Sequence, residues 1–137
     1  MAVEPEQALS RVYQIAQPVT DLGRAVEFYR EVLGARHVAT FDPPGLAFFD
    51  FDGIRLMLDA VGEIKPPGSP LYFAVDDVHA AFATLVARGA EPLDGGAPHM
   101  INRDDSGVFG VAGTETWMGF VKDPDGNVLA VAADVGP

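Results

Sequence analysis

The chain of 137 residues contains no cysteine. This absence excludes disulfide bonds, thiolate metal sites and cysteine nucleophiles, and it suits a reducing compartment such as the cytoplasm. No apolar stretch approaches the roughly 20 residues that a helix needs to cross a bilayer. Residues 1–7 are acidic and contain a proline, which is not the pattern of a signal peptide. We therefore expect a cytoplasmic protein that has no membrane partner.

Basic residues are also scarce. Lys and Arg number 9 against 20 Asp and Glu, which gives a formal net charge of −11 at pH 7. A field of this sign repels the phosphates of nucleic acids and anionic lipid surfaces. Nucleic acid is therefore not expected as a partner, whereas a cationic small molecule is favoured over an anionic one.

Two halves of the chain carry the same landmarks in the same order, about 56 residues apart. Such an internal repeat indicates a duplicated structural module. A chain of this length makes one compact domain. We expect a single domain over 1–137, with module one at about 11–60, a linker at 61–70 and module two at about 71–133. The paired landmarks are Asp21 and Asp77, Gly34 and Gly89, and the Asp-Gly pairs at 52–53 and 125–126.

Each module is predicted to fold as a strand, a helix and further strands. Asp21 and Asp77 suit the N-cap of a helix, and Gly34 and Gly89 suit the left-handed residue that ends one. The segment 92–114 is longer than its counterpart in module one, and we expect it to be a mobile insertion. The predicted strands are 13–19, 46–52, 54–59, 116–122 and 127–133. The predicted buried stripes are Leu22, Val26, Tyr29 and Leu33 in the first helix, and Val78, Phe82, Leu85 and Val86 in the second.

This βαβββ–βαβββ order, together with two motifs, resembles the vicinal oxygen chelate superfamily, which includes glyoxalase I, extradiol dioxygenases and bleomycin-binding proteins. The resemblance implies an α+β fold, namely two tandem βαβββ modules whose curved sheets form a ligand cup (the glyoxalase/bleomycin-resistance fold). It also implies a homodimer. The motif residues are Val19, Asp21, Leu22, Phe28, Tyr29, Leu33 and Gly34, then Asp123, Pro124, Asp125, Gly126 and Asn127.

Enzymes of that superfamily hold a divalent metal with four side chains, and the resemblance carries these positions onto Gln14, Met57, Pro70 and Ala130. Glyoxalase I has a glutamine at the first position. Proline and alanine offer no side-chain ligand, and methionine is a poor ligand for hard divalent cations. We therefore predict no metal site and no cofactor.

The same positions indicate what lines the cup, because side chains alternate between the two faces of a strand. The result is a small, mostly apolar lining that suits a planar or aromatic organic molecule. Trp117 could instead be a core or dimer-interface residue. Gln17 falls on the helix-facing side, which alternation does not explain. The predicted ligand-binding set is Gln14, Arg55, Met57, Asp59, Tyr72, His99, Trp117 and Ala130.

Two functions are consistent with the sequence. The first is a metal-free protein of this superfamily that binds a small organic molecule, aromatic or cationic. The second is an enzyme, either a lyase, an isomerase or an oxygenase, that uses a divalent metal or His99 as an acid–base group. In the second case Glu115 and Asp59 are possible carboxylate neighbours of His99, and His99 and Glu115 are the candidate catalytic residues.

Overall fold

The structure, a computed structural model, describes residues 9–63, 68–93 and 96–137. No helix in these ranges is both long and apolar enough to span a membrane. The elements follow in the order β1 (Gln14–Val19), α1 (Leu22–Glu27) with a π-helical turn (Phe28–Val32), β2 (Arg36–Phe41), β3 (Leu46–Phe51), β4 (Ile54–Ala60), β5 (Leu71–Ala74), α2 (Val78–Ala87), β6 (Glu91–Pro92), β7 (His99–Asp104), β8 (Thr114–Lys122) and β9 (Val128–Val135).

The strands form one sheet per module. The first sheet has the order β1-β4-β3-β2, and in the second, β5-β9-β8, strand β8 also pairs with both β6 and β7. In each sheet the first strand runs parallel to the last, and the other pairs are antiparallel. The register repeats as well, since Ala16 pairs with Met57 and Tyr72 with Ala130. The predicted α+β fold of two βαβββ modules is confirmed.

The helix ends lie where the sequence predicts them. The Asp21 carboxylate accepts the Arg24 backbone N–H at 3.0 Å, and Asp77 accepts that of Ala80 at 3.1 Å. Gly34 and Gly89 have φ angles of 70° and 108°, which glycine adopts without strain.

The buried faces of the helices differ from the predicted stripes. The first helix is one residue longer than the second between its capping aspartate and its final glycine, and the π-helical turn takes up that residue. Both Phe28 and Tyr29 are buried as a result, whereas Val26 and Leu33 are only half-buried. In α2 the prediction of a buried Val86 is wrong, because this side chain points partly to solvent and is 37% exposed.

The segment predicted as an insertion contains β7, which is the counterpart of β2 and pairs with β8. The turn after it is ordered by Asp104. Its carboxylate accepts the backbone N–H groups of Gly107, Val108 and Phe109 at 2.9–3.0 Å. The N–H of Phe109 contributes most to lowering the pKa of Asp104 below its ordinary value. Residues 94–95 of the segment, like 64–67 of the predicted linker, lie outside the described residues.

One face of each sheet packs against the helix of its own module and forms the core. The opposite face, which we call the open face, carries the residues predicted to line the cup, with the exception of Trp117. The core residues are Val19, Leu22, Ala25, Phe28, Tyr29, Ala47, Phe49, Leu56 and Leu58 from module one, and Val78, Phe82, Ala90, Val121, Leu129 and Val131 from module two.

Candidate functional site

The open face of the first sheet carries four of the predicted lining residues. Gln14 projects from β1, and Arg55, Met57 and Asp59 alternate along β4 with the buried Leu56 and Leu58. The Gln14 amide Nε2 lies 3.7 Å from the Met57 sulfur, which it contacts as a weak donor. The structure therefore brings together the first two positions that the resemblance assigned to a metal.

Arg55 lies among aromatic rings on the same face. Its guanidinium carbon is 5.1 Å from the centre of the Tyr13 ring and 5.7 Å from that of Phe48. At these distances the ring faces attract the cation. The Phe48 ring also contacts Phe41, with centroids 6.0 Å apart. This face thus presents aromatic rings around a guanidinium, with the Asp59 carboxylate further along β4.

The open face of the second sheet carries an aromatic cluster, which consists of Tyr72, His99 and Phe120. The Tyr72 and Phe120 rings meet edge to face at 6.3 Å, and the His99 and Phe120 rings lie 6.4 Å apart. Both Tyr72 and Phe120 pair in register with Ala130, which lies between them and is 1% exposed. Tyr72 itself is 58% exposed. The cluster covers Ala130 and presents its own rings to solvent.

Phe120 is not among the residues predicted to line the cup. The sequence signal for it was the turn at 123–127, which sets Lys122 opposite Val128. From that pair outward, residues of β8 and β9 that lie opposite each other share one face of the sheet. Counting outward in this way places Phe120 opposite Ala130.

Trp117 and Glu115 lie on the opposite face of the second sheet from the aromatic cluster. The indole of Trp117 contacts the His79 ring of α2, with centroids 5.5 Å apart, and its N–H donates to the Glu115 carboxylate at 3.0 Å. The two residues thus belong to the helix-covered face, whereas His99 pairs with Met118 and shares the open face. The structure does not bring His99 and Glu115 together.

The residues present do not fit the metal of the superfamily. Among the described residues no group of three or more His, Cys, Asp or Glu side chains is placed to hold an ion. Of the four positions that the resemblance assigns to a metal, only Gln14 has a side-chain oxygen that could act as a ligand. Its amide meets the Met57 thioether, and Ala130 is covered by the rings of Tyr72 and Phe120. This donor set does not meet the needs of a hard divalent cation.

A buried polar cluster joins the two modules where the first helix meets the turn 123–127, a place we call the first junction. The Tyr29 hydroxyl donates to the Asp123 carboxylate at 2.9 Å, and the Asn127 amide donates to the Pro18 carbonyl at 2.9 Å. Gln17 is fully buried here and donates to the Ser69 carbonyl at 3.4 Å. This explains why a glutamine occupies a helix-facing position. Burial, followed by the charge of Asp123, raises the pKa of Tyr29 far above its ordinary value.

Comparisons with known proteins agree with this fold. The structure resembles a virulence protein from Salmonella typhimurium, with 20% identity and a TM-score of 0.69 over 94% of this chain and 100% of that one. It also resembles a lactoylglutathione lyase from Agrobacterium tumefaciens, with 21% identity and a TM-score of 0.66 over 91% and 94% of the two chains. A third similar structure is a glyoxalase-related enzyme from Fulvimarina pelagi, with 23% identity and a TM-score of 0.69 over 91% and 88%. At these identities the likeness shows the fold alone. A search of curated protein sequences found no significant match.

The family assignment comes from the sequence itself. Residues 11–131 match the model of a single family, and this range contains both modules with their capping aspartates, their terminal glycines and the Asp-Pro-Asp-Gly-Asn turn. The chain belongs to the glyoxalase/bleomycin resistance protein/dioxygenase superfamily.

Proposed function

We propose that this protein binds a small planar aromatic molecule on the open faces of its sheets, without the metal of the superfamily. The observation that carries this proposal is the aromatic cluster of Tyr72, His99 and Phe120 at the place where a metal ligand would otherwise stand. Aromatic rings hold a flat ligand by stacking and exclude water from it. The net charge of −11 favours a cationic ligand over an anionic one.

The proposed site needs a second wall. Small-molecule sites bury roughly 70–90% of their ligand, whereas Tyr72 is 58% exposed on an open sheet face. The open face of the first sheet is a suitable wall, because it adds the aromatic rings around Arg55, and Asp59 on the same face supplies a carboxylate for a cationic ligand. We propose a cytoplasmic homodimer in which the first sheet of one copy faces the second sheet of the other. The predicted lining residues Gln14, Met57 and Asp59 would then also border the ligand.

A fluorescence titration tests the binding proposal. The probe is proflavine, a planar aromatic cation, and anthracene-9-carboxylate serves as the matched planar anion. We expect proflavine to bind more tightly than the anion. Phe120→Ala and Tyr72→Ala should each weaken proflavine binding about tenfold, since stacking on one ring contributes roughly 1–3 kcal/mol.

The matched control is His79→Ala, which removes an exposed ring from α2 on the helix-covered side. It should leave proflavine affinity unchanged. If neither probe binds, or if both cluster variants bind proflavine as well as the unchanged protein does, the proposed aromatic site is wrong.

A second candidate function is enzymatic, and the position of His99 favours it. Its imidazole stands on an exposed strand of the open face, beside Phe120, where it could exchange a proton with a bound molecule. One structural neighbour is a lactoylglutathione lyase. The test is an assay for lactoylglutathione turnover by the unchanged protein and by His99→Gln. Turnover lost in the variant would favour the enzyme, whereas no turnover in either protein would count against this reaction.

A further inference from the structure

A cavity lies away from the open faces, on the helix-covered side of the second sheet. It has a volume of about 380 Å³. Phe73 and Val131 of the second sheet line it from below, Leu85 of α2 lines one side, and Leu33 and Phe51 of module one line the other. Phe51 and Phe73 contact each other across the boundary of the two modules, with ring centroids 5.0 Å apart. We call this place the second junction.

The repeat makes the second junction the counterpart of the first. Leu85 lies 56 residues after Tyr29, and Phe73 lies 56 residues after Gln17. At the first junction Tyr29 and Gln17 fill the space and are hydrogen-bonded, together with Asp123. At the second junction the corresponding residues are apolar, and a cavity is left between them.

This difference indicates a binding site. The cavity is open to solvent on the side of Thr84 and Arg88, so that a small molecule can enter it. The fold itself can fill such a junction, as the first one shows, so the space at the second is a property of these particular side chains. Its volume also lies within the range of roughly 300–1,000 Å³ that is typical of small-molecule sites.

Arg88 gives the cavity its chemical character. Of the described residues that line the cavity it is the only charged one, and its side chain is exposed at the end of α2. One guanidinium nitrogen donates to the Val32 carbonyl over a long 3.4 Å bond. No carboxylate of the described residues forms an ion pair with it. A guanidinium offers five N–H donors, and its planar geometry matches that of a carboxylate.

We propose that the second junction binds an amphipathic monocarboxylate, with an aryl or medium-chain acyl body in the apolar cavity and its carboxylate on Arg88. The cavity supplies the favourable burial of apolar surface. Arg88 supplies the charge, in a protein whose overall field disfavours anions. The Thr84 hydroxyl also lines the cavity and can donate to the second carboxylate oxygen. The site is separate from the open faces and does not depend on the function proposed for them.

Isothermal titration calorimetry tests this proposal with decanoate as the probe and decanol as the matched uncharged control. Decanoate should bind roughly tenfold more tightly than decanol, because hydrogen bonds to a charged group are stronger than those to a neutral one. Arg88→Met keeps the apolar length of the side chain and should remove this difference. Thr84→Trp places an indole in the cavity from an exposed helix position and should abolish the binding of both probes. Tyr72→Ala, on the open face, should bind decanoate as the unchanged protein does.

Circular dichroism and the melting temperature show that each variant is folded. Three results would overturn the proposal: decanoate does not bind to the unchanged protein, decanoate binds equally well to Thr84→Trp, or decanoate binding is lost in Tyr72→Ala. The third result would place the ligand on the open face. If Thr84→Trp changes the oligomeric state and decanoate does not bind, the surface at the second junction is a contact between copies of the chain and not a ligand site.

Discussion

The hydroxyl of Tyr29 donates a hydrogen bond of 2.9 Å to the carboxylate of Asp123, which lies 94 residues further along the chain. Tyr29 belongs to the first helix and Asp123 to the last turn of module two, so this bond joins the two modules. Asp123 also accepts the backbone N–H groups of Asp125 and Asn127 at 2.8 and 2.9 Å. The buried carboxylate is therefore fully bonded only when the modules are in place.

Replacing Tyr29 with phenylalanine should destabilise the protein. The variant keeps the ring in the core but leaves the buried Asp123 carboxylate with one donor fewer. We expect the free energy of unfolding to fall by about 2 kcal/mol, since hydrogen bonds to charged groups contribute roughly 1.5–3 kcal/mol. Urea denaturation measures this change. Tyr13→Phe is the matched control, because Tyr13 is 71% exposed, and its change should stay within about 0.5 kcal/mol. Equal midpoints for all three proteins would contradict a contribution from the Tyr29–Asp123 bond.

The same pair predicts a loss of stability at alkaline pH. Burial, followed by the charge of Asp123, raises the pKa of folded Tyr29 well above the value of about 10 that it has in the unfolded chain. The neutral phenol therefore contributes fully to the free energy of unfolding below about pH 10. This contribution is lost as the pH rises further, because the unfolded chain then releases the phenol proton while the folded protein keeps it.

Urea denaturation across this pH range measures the effect. Stability should fall by up to about 1.4 kcal/mol per pH unit above pH 10 from this group alone. In Tyr29→Phe, the fall of the free energy of unfolding with pH should lack the part that comes from this group. Parallel pH profiles for the two proteins would show that Tyr29 titrates normally in the folded state.

Local features of the fold could be predicted because the residues that determine them are neighbours in sequence. Asp52 and Gly53 have φ angles of 51° and 92°, as expected for the tight turn that an Asp-Gly pair favours. The π-helical turn was not predicted. A signal for it exists, since the distance from Asp21 to Gly34 is one residue longer than that from Asp77 to Gly89.

The candidate site depended on relations between distant residues. Alternation along β1 and β4 correctly separated Gln14 and Met57 from the core. It could not place Trp117, because its face depends on the pairing of β8 with β9, in which Trp117 lies opposite Ala133. The burial of Gln17 could not be predicted either. The groups around it come from Tyr29 and from residues that follow it by 50 positions or more.

A packing prediction concerns Gly119, which lies on the helix-covered side of β8. A Cβ at this position would lie 2.7 Å from Cδ2 of the Phe82 ring and 3.2 Å from the Pro98 ring. Gly119→Ala should therefore push α2 away from the sheet and lower the free energy of unfolding by about 1–3 kcal/mol. Thermal or urea unfolding measures the change.

The matched control for this packing prediction is Gly23→Ala in the first helix. A Cβ there meets its nearest atom, the Asp21 carboxylate oxygen, at 3.7 Å, which is an ordinary contact. This variant should be stabilised by roughly 0.5–1 kcal/mol, because alanine favours the helix. If Gly119→Ala is as stable as the unchanged protein, α2 packs less closely on β8 than the structure indicates.

The last prediction concerns divalent metals. Two of the positions that would hold an ion are Gln14 and Met57 on the first sheet, where the amide contacts the thioether. On the second sheet the position is Ala130, which lies beneath the rings of Tyr72 and Phe120. Adding Mg²⁺, Mn²⁺, Co²⁺, Ni²⁺ or Zn²⁺ should therefore leave the melting temperature unchanged. A metal ion that binds only the folded protein, added at about 100 times its dissociation constant, would stabilise the protein by roughly 2.7 kcal/mol. The melting temperature would then rise by several degrees. Gln14→Ala separates the possible causes of any rise. A rise that this variant abolishes would establish a metal site at Gln14 and remove the basis for a metal-free binding protein, whereas a rise that persists in it would place the ion elsewhere on this acidic surface.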